Sequence, residues 1–84
     1  MRNGREVSNT GDVFYYKDDK LHREDGPAIT RPHCSLWAQN GKLHREDGPA
    51  YETKDGLYNE WWIDGTRYTE ANFMLWKISI IMQH

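Results

Sequence analysis

The stretch KLHREDGPA fills residues 20–28 and then, letter for letter, residues 42–50. A chain of 84 residues that writes one nine-residue phrase twice, 22 residues apart, has the signature of a small supersecondary unit stacked on its own copies. Aligning the turn ahead of each phrase extends the match. FYYKDDKLHRE (14–24) lies over LWAQNGKLHRE (36–46), and both lie over EWWIDGTRYTE (60–70). The third copy comes 24 residues after the second, because the linker TKDGLYN carries an insertion. A faint earlier copy begins at Asn3-Gly4, and the third copy never reaches the DGPA ending.

Each copy is punctuated like a β-hairpin. Asn40-Gly41 and Asp64-Gly65 are dipeptides that type I′ turns favour, since both central residues need positive φ. Asp18-Asp19 is the weaker cognate. Asp25-Gly26 and Asp47-Gly48 turn the chain back, and Pro27 and Pro49 lead into the next strand where no amide donor is needed. The expected fold is mainly β: an antiparallel meander of tandem β-hairpin repeats with strands of about four to six residues.

Counting outward from the I′ turns sets a register. Tyr15 faces His22, Trp37 faces His44 and Trp61 faces Tyr68, giving three ring–ring pairs on one face. The other face carries Tyr16/Leu21, Ala38/Leu43 and Trp62/Arg67. Pairs of this kind contribute about 0.2–1 kcal/mol each and fix the register.

After Tyr68 the pattern changes. Thr69 reads as an N-cap and Glu70 as a first-turn carboxylate that suits the helix dipole. Phe73, Met74, Ile78 and Ile81 then share a helical face, widened by Ala71, Leu75 and Met82. Residues 70–82 are predicted as a helix closing the open end of the array. The rival is a strand in which Trp76, Ile78, Ile80 and Met82 alternate with Lys77 and Ser79. The apolar arc is wider than one contact demands, so Trp76, Ile80 and Met82 are the candidate contacts of a homodimer; full packing into the chain's own sheet is the alternative. The chain divides as a single domain over 1–84: a degenerate first unit 3–13, repeats 14–35, 36–59 and 60–69, and the helix 70–82.

Composition narrows the function. A chain this short buries only roughly 60–65% of its unfolded surface, and its 13% of aromatic residues, four of them tryptophan, partly offset that. One cysteine, Cys34, allows no intrachain disulfide and is expected to be an ordinary loop thiol in a reducing compartment. The net charge of −2, with both signs interleaved, argues against nucleic acid as a partner. The polar N-terminus carries no signal-peptide pattern, and FMLWKISIIM is too short to span a bilayer. The expected location is cytoplasmic.

His-Arg-Glu-Asp also raises acid–base or metal chemistry, with His22, His33, Cys34 and His44 as a zinc set. Metal motifs use close ligand pairs, and only His33-Cys34 is adjacent; a catalytic site joins unlike residues once rather than like residues in series. No catalytic residue, metal ligand or cofactor is assigned. Scaffolding explains the phrase better: leucines pack, histidines meet rings, Asp-Gly turns the chain, and Arg23 and Arg45 pair with Glu24/Asp25 and Glu46/Asp47 or with those of the adjacent unit.

NGKLHREDGPA, with Trp37 three residues ahead of the Asn-Gly turn, resembles repeats in small proteins of tailed bacteriophages and large DNA viruses, distantly similar to the MORN β-hairpin repeat. The resemblance covers about residues 12–70. The chain lacks the Tyr-x-Gly-x-Trp opening of MORN units, so no lipid-binding role is carried over. The resemblance implies a small phage-encoded inhibitor that acts in the host cytoplasm on a host protein, with a defence nuclease or CRISPR effector as the leading target class. On this reading the chain is no enzyme but a protein-binding module, with Trp62 and Arg67 as anchors and Tyr16 and Tyr58 behind them, since Trp, Tyr and Arg dominate interface energetics. Two alternatives stand beside it: a nucleic-acid-binding sheet that stacks bases, and a small metal-binding protein using the duplicated HRED segments.

Overall fold

The computed structural model describes residues 1–82 and is an antiparallel β structure with one C-terminal helix. The strands are β1 (Gly4–Val7), β2 (Val13–Lys17), β3 (Lys20–Leu21), β4 (Ile29–Thr30), β5 (Cys34–Leu36), β6 (Ala38–Gln39), β7 (Lys42–Leu43), β8 (Tyr51–Thr53), β9 (Asn59–Ile63) and β10 (Thr66–Tyr68); α1 spans Glu70–Met82. The main sheet runs β1-β2-β4-β5-β8-β9-β10, β3 pairs with β2, and β6 pairs with β7.

The turn chemistry sets this pattern. Asp18 and Asp19, Asn40 and Gly41, and Asp64 and Gly65 all take positive φ, as a type I′ turn requires. The pairings counted outward from those turns are present: Tyr16 opposite Leu21, Ala38 opposite Leu43, Trp62 opposite Arg67 and Trp61 opposite Tyr68. One step further, the His22 amide donates to the Tyr15 carbonyl and the His44 amide to the Trp37 carbonyl, each at 3.0 Å.

A simple meander does not describe the result, because each long strand works in two halves. Val13 and Phe14 of β2 pair with β4, whereas Tyr16 and Lys17 pair with β3. Tyr15 is the corner: its amide donates to the Ala28 carbonyl (2.8 Å). Trp37 is the corner between β5 and β6, its amide donating to the Ala50 carbonyl. The duplicated phrase therefore leaves the hairpin after Lys-Leu, crosses the corner residue, and returns to pair with the first half of the same strand. This shortens seven of the ten described strands to two or three residues, below the expected four to six, while β1, β2 and β9 keep four or five.

Links between successive hairpins also recur. The Gly41 amide donates to the Leu21 carbonyl and the Gly65 amide to the Leu43 carbonyl, both at 2.9 Å. The Arg23 amide reaches the Ala38 carbonyl and the Arg45 amide the Trp62 carbonyl, both at 3.0 Å. The histidines complete the set. The Asn40 amide donates to His22 Nδ1 and the Asp64 amide to His44 Nδ1, each at 3.0 Å. Near the N-terminus the Asp18 amide donates to the Asn3 side-chain oxygen (2.9 Å), so asparagine stands in for histidine there.

These bonds correct the expected ring–ring pairing of Tyr15/His22 and Trp37/His44. The register holds, but the histidine is an acceptor for the next hairpin, and the ring opposite it is met by the following arginine. The Arg23 guanidinium lies 4.1 Å from the Tyr15 ring centroid and that of Arg45 3.9 Å from Trp37. Each arginine also bonds Asp25 or Asp47 and the Pro27 or Pro49 carbonyl. The aspartate half of the expected arginine–carboxylate pairing is present, whereas Glu24 and Glu46 lie beside His22 and His44 instead.

Among the described residues the buried set is small: Gly26, Ala28, Ile29, Ala38, His44, Ala50, Ile63 and Phe73. The helix occupies the predicted range. Thr69 caps it, its hydroxyl accepting from the Asn72 amide (3.1 Å), and Phe73 at 2% exposure anchors it against β9 and β10. Phe73 and Met74 part company: Phe73 points inward, while Met74, Leu75, Ile78, Ile81 and Met82 stay exposed. Full packing of the helix into its own sheet is thus not what forms. No described helix is long and apolar enough to cross a membrane.

Candidate functional site

The two faces of the sheet differ in what covers them. Residues directly opposite one another share a face, as do residues two apart in a strand. The face of Tyr15 and Trp37 is closed by the arginines of the duplicated phrase. The other face carries a row that crosses the main sheet: Glu6, Phe14, Ile29, Leu36, Tyr51 and Glu60, each opposite the next. Tyr16 and Trp62 extend it by one step along β2 and β9.

At the β8–β10 end this row becomes a built cluster. Tyr51 and Tyr58 meet edge-to-face with centroids 5.8 Å apart. The Tyr58 hydroxyl donates to Glu60 Oε2 (2.6 Å) and accepts from Arg67 Nη2 (3.2 Å). The Trp62 indole N–H donates to the other Glu60 oxygen (2.9 Å), and Arg67 lies 3.9 Å from the carboxylate. Glu60 is thus the hub on which three side chains converge. The Tyr58 hydroxyl holds its carboxyl below the ordinary carboxylate range, with Trp62 and Arg67 adding to this against the cost of desolvation.

Strand alternation puts Tyr58, Glu60 and Trp62 on one side, and the I′ turn at Asp64-Gly65 brings Arg67 opposite Trp62. The insertion in the third linker matters too. Arg31 and Cys34 close a short turn with Pro32 and His33 at its tip, whereas Thr53 and Tyr58 close a longer one over Lys54–Leu57. Its tip is held by Asp55, which accepts from the Thr53 hydroxyl (2.6 Å) and the Leu57 amide (3.0 Å). Those two bonds keep the Asp55 carboxyl below its ordinary value.

Of the four anchors expected from sequence, Tyr58, Trp62 and Arg67 come together; Tyr16 does not. It lies on β2, four strands from β9, or about 19 Å at ordinary strand spacing. There it packs near Phe14 and is met by Arg2. Glu60 was missed, although its place between Tyr58 and Trp62 at two-residue spacing was the available signal. Cys34 is a strand residue, half-buried on the open face, rather than a loop thiol. The Tyr51 phenol is pushed up, chiefly by the Cys34 thiol beside it. Trp76 and Ile80 line a groove of about 250 Å³ with Glu46, Asp47, Lys77 and Ile81, whereas Met82 is 79% exposed.

The HRED segments build a different environment. His44 is 7% exposed, its Nδ1 taken by the Asp64 amide and its Nε2 3.0 Å from Glu46. The Asp47 carboxyl is held below its ordinary value, first by the hydrogen bond from Arg45, with Lys77 contributing. Both histidines thus spend one ring nitrogen on a backbone link between hairpins. Among the described residues no group of three or more His, Cys, Asp or Glu side chains is placed to hold a metal ion.

No protein-family model, curated protein or solved structure matches this chain, so the fold and the cluster stand on their own geometry.

Proposed function

We propose that the protein is a non-enzymatic protein-binding module that covers a surface of another macromolecule with the open face of its sheet. The observation that carries this reading is the convergence of Tyr58, Trp62 and Arg67 on Glu60, on the face that the arginine-bearing loops do not cover. Tryptophan, tyrosine and arginine supply most of the binding energy in protein interfaces. Holding them by mutual hydrogen bonds lowers the ordering cost of association. The bonds recurring from hairpin to hairpin support a tandem-unit scaffold behind that face, of the MORN-like kind its sequence resembles. The same resemblance motivates the partner class: a host protein of a phage-infected cell, a defence nuclease or CRISPR effector first, met in the host cytoplasm.

A nucleic-acid reading is the second choice, since exposed rings can stack bases. It is disfavoured because the row across the sheet starts and ends in carboxylates, Glu6 and Glu60, and the net charge is −2.

The test is affinity capture from host lysate with the wild type, Arg67→Glu and Tyr58→Ala, followed by mass spectrometry. Both replaced side chains are exposed, so the variants should fold. One protein recovered in near-stoichiometric amount by the wild type and lost by Arg67→Glu supports the proposal. No such protein, or equal capture by all three, overturns it. A gel shift at low salt that weakens steeply as salt rises would favour nucleic acid instead.

A further inference from the structure

The outer side of α1 is a second apolar face that the sheet never meets. Going round the helix at 3.6 residues per turn, Phe73, Trp76 and Ile80 fall on one side, and Phe73 stacks on Trp76 with centroids 6.0 Å apart. Met74, Leu75, Ile78 and Met82 fall on the opposite side, Ile81 stands at its edge where it also borders the groove, and the five are 51–79% exposed. Between the faces, Asn72 and Ser79 mark a narrow polar strip. Lys77 borders the groove beside Glu46 and Asp47, so its charge is turned to the chain's own loop. The outer stripe therefore carries no charge at all.

Its order is symmetrical. Counting from Ile78, Leu75 and Ile81 stand three residues away on either side, and Met74 and Met82 stand four away. The three-four spacing is that of a helix–helix seam. A seam that reads the same in both directions is self-complementary about a two-fold axis, which is what an isologous contact requires.

From this seam we infer that the protein pairs with a second copy of itself through α1, the two helices antiparallel and the two-fold axis passing at Ile78. Met74 then lies across from Met82 of the second copy, Leu75 across from Ile81, and Ile78 across from its own equivalent. The five side chains offer about 600 Å² of apolar surface, at the upper end of the largest patch on an ordinary monomer. Two such faces offer at most about 1,200 Å² to the contact, the lower edge of stable interfaces. The contact uses neither Tyr58, Trp62 nor Arg67, so it stands or falls separately from the open sheet face.

Sedimentation equilibrium tests the pairing, with the wild type expected at twice the 10.0 kDa chain mass at tens of micromolar protein. Ile78→Lys sets two ammonium groups against each other at the axis and should give a monomer with unchanged β-sheet circular dichroism. Orientation is read by oxidation in a Cys34→Ser background. Ile78→Cys should form a disulfide-linked dimer, Met74→Cys alone should not, and an equal mixture of Met74→Cys and Met82→Cys should link. A wild type that remains monomeric, a dimer that survives Ile78→Lys, or efficient self-linking of Met74→Cys overturns the inference.

Discussion

Gly26 and Gly48 show how one missing carbon sets a side chain's place. Neither adopts positive φ, so alanine fits the backbone at both positions. An added Cβ would instead meet a guanidinium carbon, at 2.7 Å for Arg23 and 3.0 Å for Arg45. Each arginine is sandwiched between a glycine and a ring, and bonds back to its own loop through aspartate and the proline carbonyl. Gly48→Ala trades a gain of about 0.4–1 kcal/mol from a stiffer unfolded chain for displacement of Arg45. That displacement strains hydrogen bonds to charged groups worth about 1.5–3 kcal/mol each. The net loss should be about 1–2 kcal/mol by urea unfolding. In an Arg45→Ala background the same substitution should be neutral or stabilising, because the obstruction is gone. A cost that persists without the guanidinium would place the requirement in the backbone instead.

At the scale of elements, the hairpins and the helix are written in short stretches of chain, and the sequence therefore reveals them. The I′ dipeptides fix turn and register together, and Thr69 with Glu70 marks a helix start that the Asn72 bond to the Thr69 hydroxyl realises. Thr69→Ala should cost about 1 kcal/mol in urea unfolding, with Thr69→Asp close to wild type. Equal loss in both variants would mean that the hydroxyl matters for packing rather than as a cap. What the sequence hides joins residues far apart in the chain. His22 to Asn40 spans 18 residues and His44 to Asp64 spans 20, so a histidine two places from a glutamate looks like chemistry until the next hairpin is in position. The candidate cluster was half legible for the same reason. Its aromatic and cationic members declare themselves by type, but Glu60 acquires its role only when Arg67 folds back across the turn.

The whole molecule is thin and wide. Its radius of gyration is 13.7 Å, against about 12 Å for a compact domain of this length, and few side chains are fully buried. A core so small gives polar and charged contacts an unusual share in stability, and their sign with pH is fixed by which groups are shifted. Asp47, Asp55 and Glu60 all titrate below their ordinary values of 3.8, 3.8 and 4.5 in the folded chain. A lowered folded value means that the ionised form stabilises the fold. That contribution is complete above the unfolded values and is lost as pH falls through the folded ones. The urea midpoint should therefore drop as pH is lowered below about 4.5, as the protons that the unfolded chain takes up more readily pull the equilibrium toward it. Glu60→Gln isolates one part of this. At pH 7 it should be less stable than the wild type, because the amide offers Tyr58 and Trp62 a single, neutral acceptor oxygen in place of two charged ones. On acidification its midpoint should fall less steeply, because one of the three groups no longer titrates. If the wild-type and Glu60→Gln curves run parallel down to pH 3, Glu60 is not held by its neighbours, and the ordering of Tyr58, Trp62 and Arg67 must come from the sheet alone.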